Sequence, residues 1–198
     1  MPLWEQRTTR MLDATIAALC LVVFSPLFLW CGLRIWLEDG FPVIFGQERI
    51  GYGGKAFRIY KFRTMRHDAE QEGPQLCATG QKDARLLRCG RFLRDHHLDE
   101  LPQLWNVLMG DMAFVGPRPE RAWFIAQIMQ HDPRYVDLYQ VRPGVTSYAT
   151  LYNGYADNME KMLRRLELDL YYVGHRSLKL NMVILWRTFA RIASGSIF

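Results

Sequence analysis

Two neighbouring acids, Asp99 and Glu100, stand at the head of Leu98-Asp99-Glu100-Leu101-Pro102-Gln103-Leu104-Trp105-Asn106-Val107-Leu108. Leu101, Leu104, Trp105 and Leu108 recur at one-sided helical spacing, which predicts a core-packed helix ending near Gly110. Pro102 lacks an amide proton and belongs in a first turn, so the acids fall at the helix N-terminus. One explanation is capping, because acidic side chains suit the positive end of a helix. The company points to chemistry instead. Arg91 and Arg94 precede the pair, and Gly116-Pro117-Arg118-Pro119-Glu120 follows the helix. Carboxylates ringed by guanidinium groups suit a site that holds an anionic substrate with a divalent metal. Two prolines fix the backbone on either side of Arg118 and present its guanidinium with little freedom.

The elements that must position this site can be read in order. Ala14 to Leu33 is uncharged and apolar, about twenty residues, enough to cross a hydrocarbon core of about 30 Å as one straight helix. No cleavage site of small residues follows it, which argues against a signal peptide. Ser25-Pro26 near its middle predicts a break, since proline frees a carbonyl that a serine hydroxyl helps to satisfy. Basic residues flank the segment on both sides, from Arg7 and Arg10 to Arg34, Arg49 and Lys55, so the positive-inside rule gives no asymmetry. A re-entrant helix-break-helix entering and leaving by the cytoplasmic face accounts for both features; a single-pass anchor with a tolerated proline is the simpler alternative. Residues 1–38 are therefore assigned to membrane anchoring and 39–198 to a catalytic domain on the cytoplasmic face.

Phe41 to Ile50 and Ala56 to Phe62 read as a short β-hairpin around Gly51-Tyr52-Gly53-Gly54. Lys61 and Arg63 alternate with apolar residues at its end, as phosphate contacts or as a solvated strand edge. Residues 67–82 read as a loop and 85–94 as a short helix or turn. Asp111 to Val115 reads as a buried connection, Glu120 to Gln130 as a helix, Arg142-Pro143-Gly144-Val145 as a turn, and Asp157 to Tyr172 as an amphipathic helix capped by Asp157. From Ser177 onward a broad apolar face carries Lys179, Arg187 and Trp186, which suits a membrane interface or core packing. The fold class is α+β, mainly helical.

With 198 residues there is room for one real core. The net charge of +5 fits anionic lipid, phosphate-rich substrates or nucleic acid equally. Four cysteines without paired spacing suggest neither a zinc framework nor a disulfide scaffold and fit a reducing compartment.

These residues together resemble the bacterial sugar transferases, the small monotopic phosphoglycosyl transferases. The matching pieces are Ser25-Pro26, Lys61-Phe62-Arg63-Thr64-Met65, Leu98 to Leu104 with Asn106-Val107-Leu108, Gly110-Asp111-Met112, Val115 to Pro119, and Arg142-Pro143-Gly144, in the family's order. The size is similar to the family's minimal catalytic core, without the transmembrane helices that longer members add. The resemblance implies transfer of a phospho-sugar from a nucleoside diphosphate sugar, usually a UDP-sugar, to polyprenyl phosphate at the bacterial cytoplasmic membrane. It implies Asp99 as nucleophile through an aspartyl phospho-sugar, Glu100 as holder of Mg²⁺, and Arg118 with Arg94, Lys61 and Arg63 as phosphate contacts. Membrane lipids are then partners, nucleic acid is not, and a homodimer stays open. The chain departs from the family at His97 and Ala113, where members commonly carry small hydroxyl residues. It departs again at Thr146-Ser147 and Asn153-Gly154-Tyr155, where an arginine is lost. Without catalysis, the same features describe a basic membrane-anchored protein that binds anionic lipid; a metal-dependent hydrolase of diphosphates is a third reading.

Overall fold

In a computed structural model, residues 1–67, 69, 83–154, 156 and 158–194 are described. The expected loop over 67–82 lies almost wholly outside them, as do Tyr155 and Asp157. The chain begins with two helices, α1 (Leu3–Val23) and α2 (Ser25–Asp39), bent by 62° at Phe24. The break is local chemistry. Pro26 occupies the first turn of α2, where a missing N–H costs nothing, and the Ser25 hydroxyl donates to the Val22 carbonyl at 2.8 Å. Among the described residues no single helix is long and apolar enough to cross a membrane, so the straight span over Ala14 to Leu33 is replaced by this bent pair. Ala17, Cys31 and Ile35 face the protein, while Leu19, Val22, Leu29, Leu33 and Leu37 are exposed. An outward apolar face of that extent marks an interaction surface.

The hairpin follows: β1 (Ile44–Ile50) pairs antiparallel with β2 (Ala56–Phe62), Ile44 opposite Phe62 and Ile50 opposite Ala56. Next come α3 (Arg88–Asp95), a 3₁₀ turn over Leu98–Glu100, and α4 (Gln103–Met109). Gly110 closes α4 in the left-handed region (φ 93), as expected of a helix-ending glycine. The buried connection after it is β3 (Ala113–Val115), in parallel register with β4 (Gly144–Thr146), an element read from the sequence as a turn. A Cβ on Gly144 would lie 2.1 Å from the Gly116 nitrogen, so this two-strand contact needs glycine there.

The helix expected from Glu120 starts later, as α5 (Ala122–His131). A 3₁₀ segment (Pro133–Gln140) capped by Asp132, the short α6 (Tyr148–Asn153), α7 (Met159–His175) and α8 (Leu178–Ala193) complete the chain. Asn158 caps α7, accepting from the Lys161 N–H at 2.9 Å, in place of the expected Asp157. On α8, Ile184 and Asn181 are buried, whereas Met182, Trp186 and Phe189 are exposed.

Packing is distributed among the described residues over several buried clusters. Cys31 and Ile35 of α2 meet Phe62 and Leu93, while Ala17 of α1 meets Ile59, Val107 and Met112. Farther along, α5 packs on α7 through Phe124, Ile128, Met162 and Leu166, and Tyr172 meets Val115, Leu151 and Ile184. Each large aliphatic side chain buried there contributes roughly 1.5–3 kcal/mol. The architecture is α+β and mainly helical, as the pattern indicates.

Candidate active site

Asp99 and Glu100 lie in the tight turn between α3 and α4, and neither side chain caps a helix end. The capping explanation therefore fails on geometry. What the turn does is bury two acids side by side: Asp99 is 8% exposed. The Lys61 ammonium on β2 donates to Glu100 Oε1 at 2.6 Å, and the Arg118 guanidinium donates to the same oxygen at 2.9 Å. Burial works against the Glu100 charge, but these two cations outweigh it and hold its carboxyl well below the usual carboxylate range. Asp99 moves the opposite way. Burial pushes it up, Lys61 pulls it down, and the neighbouring Glu100 charge raises it further, leaving it above its ordinary value. The two adjacent carboxyls are thus shifted in opposite directions, Glu100 down and Asp99 up. Such divergence between adjacent carboxyls is a mark of functional sites.

Arg94 lies at the end of α3, its Nε donating to Thr64 Oγ1 at 2.9 Å. The close approach is set by Gly90, where a Cβ would fall 2.2 Å from the Thr64 carbonyl oxygen. Of the residues expected on the inner face of α4, Leu104 is buried and Leu101 and Leu108 pack against buried clusters, whereas Trp105 turns outward. Trp105 is 50% exposed, and the residues turned inward are Gln103, Leu104, Asn106 and Val107. Asn106, fully buried, accepts from the Tyr60 N–H at 3.0 Å and donates to the Arg58 carbonyl at 2.7 Å. A side-chain amide thus replaces a strand partner and fixes β2, with its Lys61, against α4.

A model of the bacterial sugar transferase family matches residues 4–195. The chain belongs to that family. A UDP-N-acetylgalactosamine-undecaprenyl-phosphate N-acetylgalactosaminephosphotransferase of Aeromonas hydrophila is 40% identical over 186 residues, covering 94% of this chain and 44% of the relative. A UDP-glucose:undecaprenyl-phosphate glucose-1-phosphate transferase of Caulobacter vibrioides is 40% identical over 181 residues, 90% of this chain and 67% of the relative. The exopolysaccharide production protein PSS of Rhizobium leguminosarum bv. phaseoli is 38% identical over 185 residues, 90% of this chain and 92% of the relative. The chain spans less than half the length of the first of these.

Of the family positions singled out, Lys61, Arg118, Asp99 and Glu100 converge. Arg63 does not join them. Its guanidinium donates to the Asp39 and Gly40 carbonyls at 2.8 Å each, pairs with the Asp39 carboxylate at 3.2 Å, and contacts the His67 ring. Those contacts secure the end of α2. His97, where the family commonly has a hydroxyl residue, adopts a left-handed conformation (φ 54) immediately before the pair.

A second charged centre has no counterpart in the sequence reading. Buried Glu120 receives Arg49 at 3.0 Å and Arg165 at 2.5 Å. Arg49 also donates to the Pro119 carbonyl at 3.2 Å, and the Ile50 N–H donates to the Glu120 carbonyl at 3.0 Å. This clamps the Pro117-Arg118-Pro119 turn between the hairpin and α7. Buried Asp169 on α7 faces the Arg118 and Ala149 N–H groups and the Ser147 hydroxyl, and its Oδ1 has no hydrogen-bond partner. A signal was present only in residue type: Glu120, Arg165 and Asp169 are charges at helix positions that otherwise read as outer faces.

Proposed function

We propose that this chain transfers a phospho-sugar from a UDP-sugar to polyprenyl phosphate, through a covalent intermediate on Asp99. The observation that carries the reading is the buried Asp99–Glu100 pair with Lys61 and Arg118 fastened to one oxygen of Glu100. An Asp99 carboxylate oxygen attacks the sugar-bearing phosphorus. The bond from that phosphorus to the bridging oxygen breaks, and UMP leaves with the electron pair. An oxygen of the polyprenyl phosphate then attacks the aspartyl phosphorus, giving polyprenyl diphosphate sugar and restoring the carboxylate. A diphosphate repels a carboxylate nucleophile, and the Arg118 and Arg94 guanidinium groups offset that repulsion as charge develops.

Mg²⁺ fits the donors present. Glu100 would hold it, offering the hard carboxylate oxygen that such an ion takes. When bound it supplies positive charge beside the diphosphate. The bent α1–α2 pair is read as re-entrant, with the exposed face of α8 lying at the interface, so that the acids sit at headgroup depth on the cytoplasmic face. Members of a family whose names differ in the sugar support a UDP-sugar donor without fixing which sugar.

Incubation with UDP-sugar alone tests the reading. About one UMP is released per enzyme and release then stops, leaving a phospho-sugar adduct on the peptide carrying Asp99. Continued turnover marks a hydrolase, and absence of release marks a lipid-binding protein. The Asp99→Asn substitution is expected to abolish transfer while membrane association and thermal unfolding stay as in the parent; full activity in that variant rules out the aspartyl intermediate.

A further inference from the structure

The acidic pair is the midpoint of a short chain of elements whose two outer ends are each fastened to one arm of the bent helix pair. At one end, Glu38 in the last turn of α2 accepts from the Arg88 and Cys89 N–H groups, at 2.5 and 2.9 Å, at the N-terminus of α3. At the other, Arg10 of α1 donates to the Val107 and Leu108 carbonyls, at 2.6 and 2.7 Å, in the last turn of α4. Both pairings have the sign that helix ends favour, an anion at free N–H groups and a cation at free carbonyls. No side chain of its own caps α3, so Glu38 supplies what the helix lacks. Gly110 keeps space for Arg10: a Cβ there would lie 3.1 Å from Arg10 Nη2. Between the two fastenings run Arg94, the strained His97, Asp99 and Glu100.

We propose that Arg10 and Glu38 are positioning residues through which the seating of the bent helix pair in the bilayer sets the placement of Asp99 relative to Arg94. The inference rests on the phosphoglycosyl transferase reading for its kinetic consequence, and on geometry alone for its structural one. Changing the 62° bend moves the outer ends of α3 and α4 relative to each other, and the turn that joins them absorbs the change. A displacement on the order of 1 Å at reacting groups costs up to about a hundredfold in rate. The anchor thereby has a second task besides holding the protein at the membrane.

The test uses the full chain in lipid nanodiscs, as wild type, Arg10→Lys, Arg10→Met and Glu38→Gln, with Arg7→Gln as a control that removes a charge from the exposed face of α1. With UDP-sugar alone, the tether variants are expected to keep the amplitude of the UMP burst and to lose about tenfold or more in its rate, Arg10→Lys less than Arg10→Met, while Arg7→Gln leaves both unchanged. An unchanged rate in Arg10→Met and in Glu38→Gln overturns the proposal. So does a fall in amplitude at unchanged rate, because the fraction that stays folded then reacts as the wild type does. Hydrogen exchange of the amides over 98–104 is read in parallel, without substrate. Faster exchange there in the tether variants, with α7 unaltered, supports the tethers even if the wild type shows no burst and the catalytic reading fails; exchange matching the wild type overturns them.

Discussion

Asp99 and Glu100 differ in proton affinity not because their side chains differ by a methylene but because Lys61 and Arg118 both hydrogen-bond Glu100, whereas at Asp99 burial outweighs the pull of Lys61 and Arg94. The same logic governs Asp169. Burial pushes its carboxyl up to about 7, against the opposing pull of Arg165, of the Ala149 and Arg118 N–H groups and of the Ser147 hydroxyl. Below the ordinary aspartate value both folded and unfolded chains hold that proton. Between about 4 and about 7 the folded chain keeps a proton that the unfolded chain releases, so stability falls as pH rises through that window. Denaturant midpoints measured across it are expected to drop in the wild type and to drop less in Asp169→Asn, the difference being ~1.4 kcal/mol per unit of pKa displacement at most. Equal slopes would show that the carboxyl titrates normally. Because the Arg118 N–H is one of the groups facing Asp169, the effect also reports on the turn that presents Arg118.

Helix α4 shows how an element can be read from sequence with most of its inner face right and one large side chain, Trp105, misplaced. Its existence, its proline start and its glycine end were legible, as were the hairpin and the break at Ser25-Pro26, because each rests on local rules. The burial of Asn106 was not, because it depends on partners forty-six and forty-eight positions away. The β3–β4 contact, the Glu120 centre and the task of Arg63 escaped for the same reason: their partners are distant in sequence. In the candidate site, the acids, Lys61 and Arg118 were legible from residue type and motif, whereas the burial that sets their proton affinities was not. Replacing Asn106 with leucine orphans a strand N–H and a strand carbonyl in a dry interface. A loss of about 2–4 kcal/mol in unfolding free energy is expected, measured by denaturant titration. A loss below about 1 kcal/mol would mean that β2 finds other partners.

For the molecule as a whole, membrane placement and chemistry share one frame. If the bent pair is re-entrant, both its ends face the cytoplasm. In sealed vesicles a Leu3→Cys variant is then expected to react with an impermeant maleimide added to the cytoplasmic side and to be protected on the opposite side; the reverse pattern fits a single-pass anchor. The hairpin, the turn before α4 and the turn after β3 all meet at Glu100, where Lys61 and Arg118 converge on Oε1 from segments far apart in the chain. In genetic terms that convergence predicts epistasis. Lys61→Met or Arg118→Met alone leaves one counter-charge behind and is partly masked, whereas the double variant strands a buried anion and loses more transfer activity than the product of the two single defects. Surveys that change one position at a time therefore understate how much each of the two matters, and a lineage that has lost one of them is committed to keeping the other.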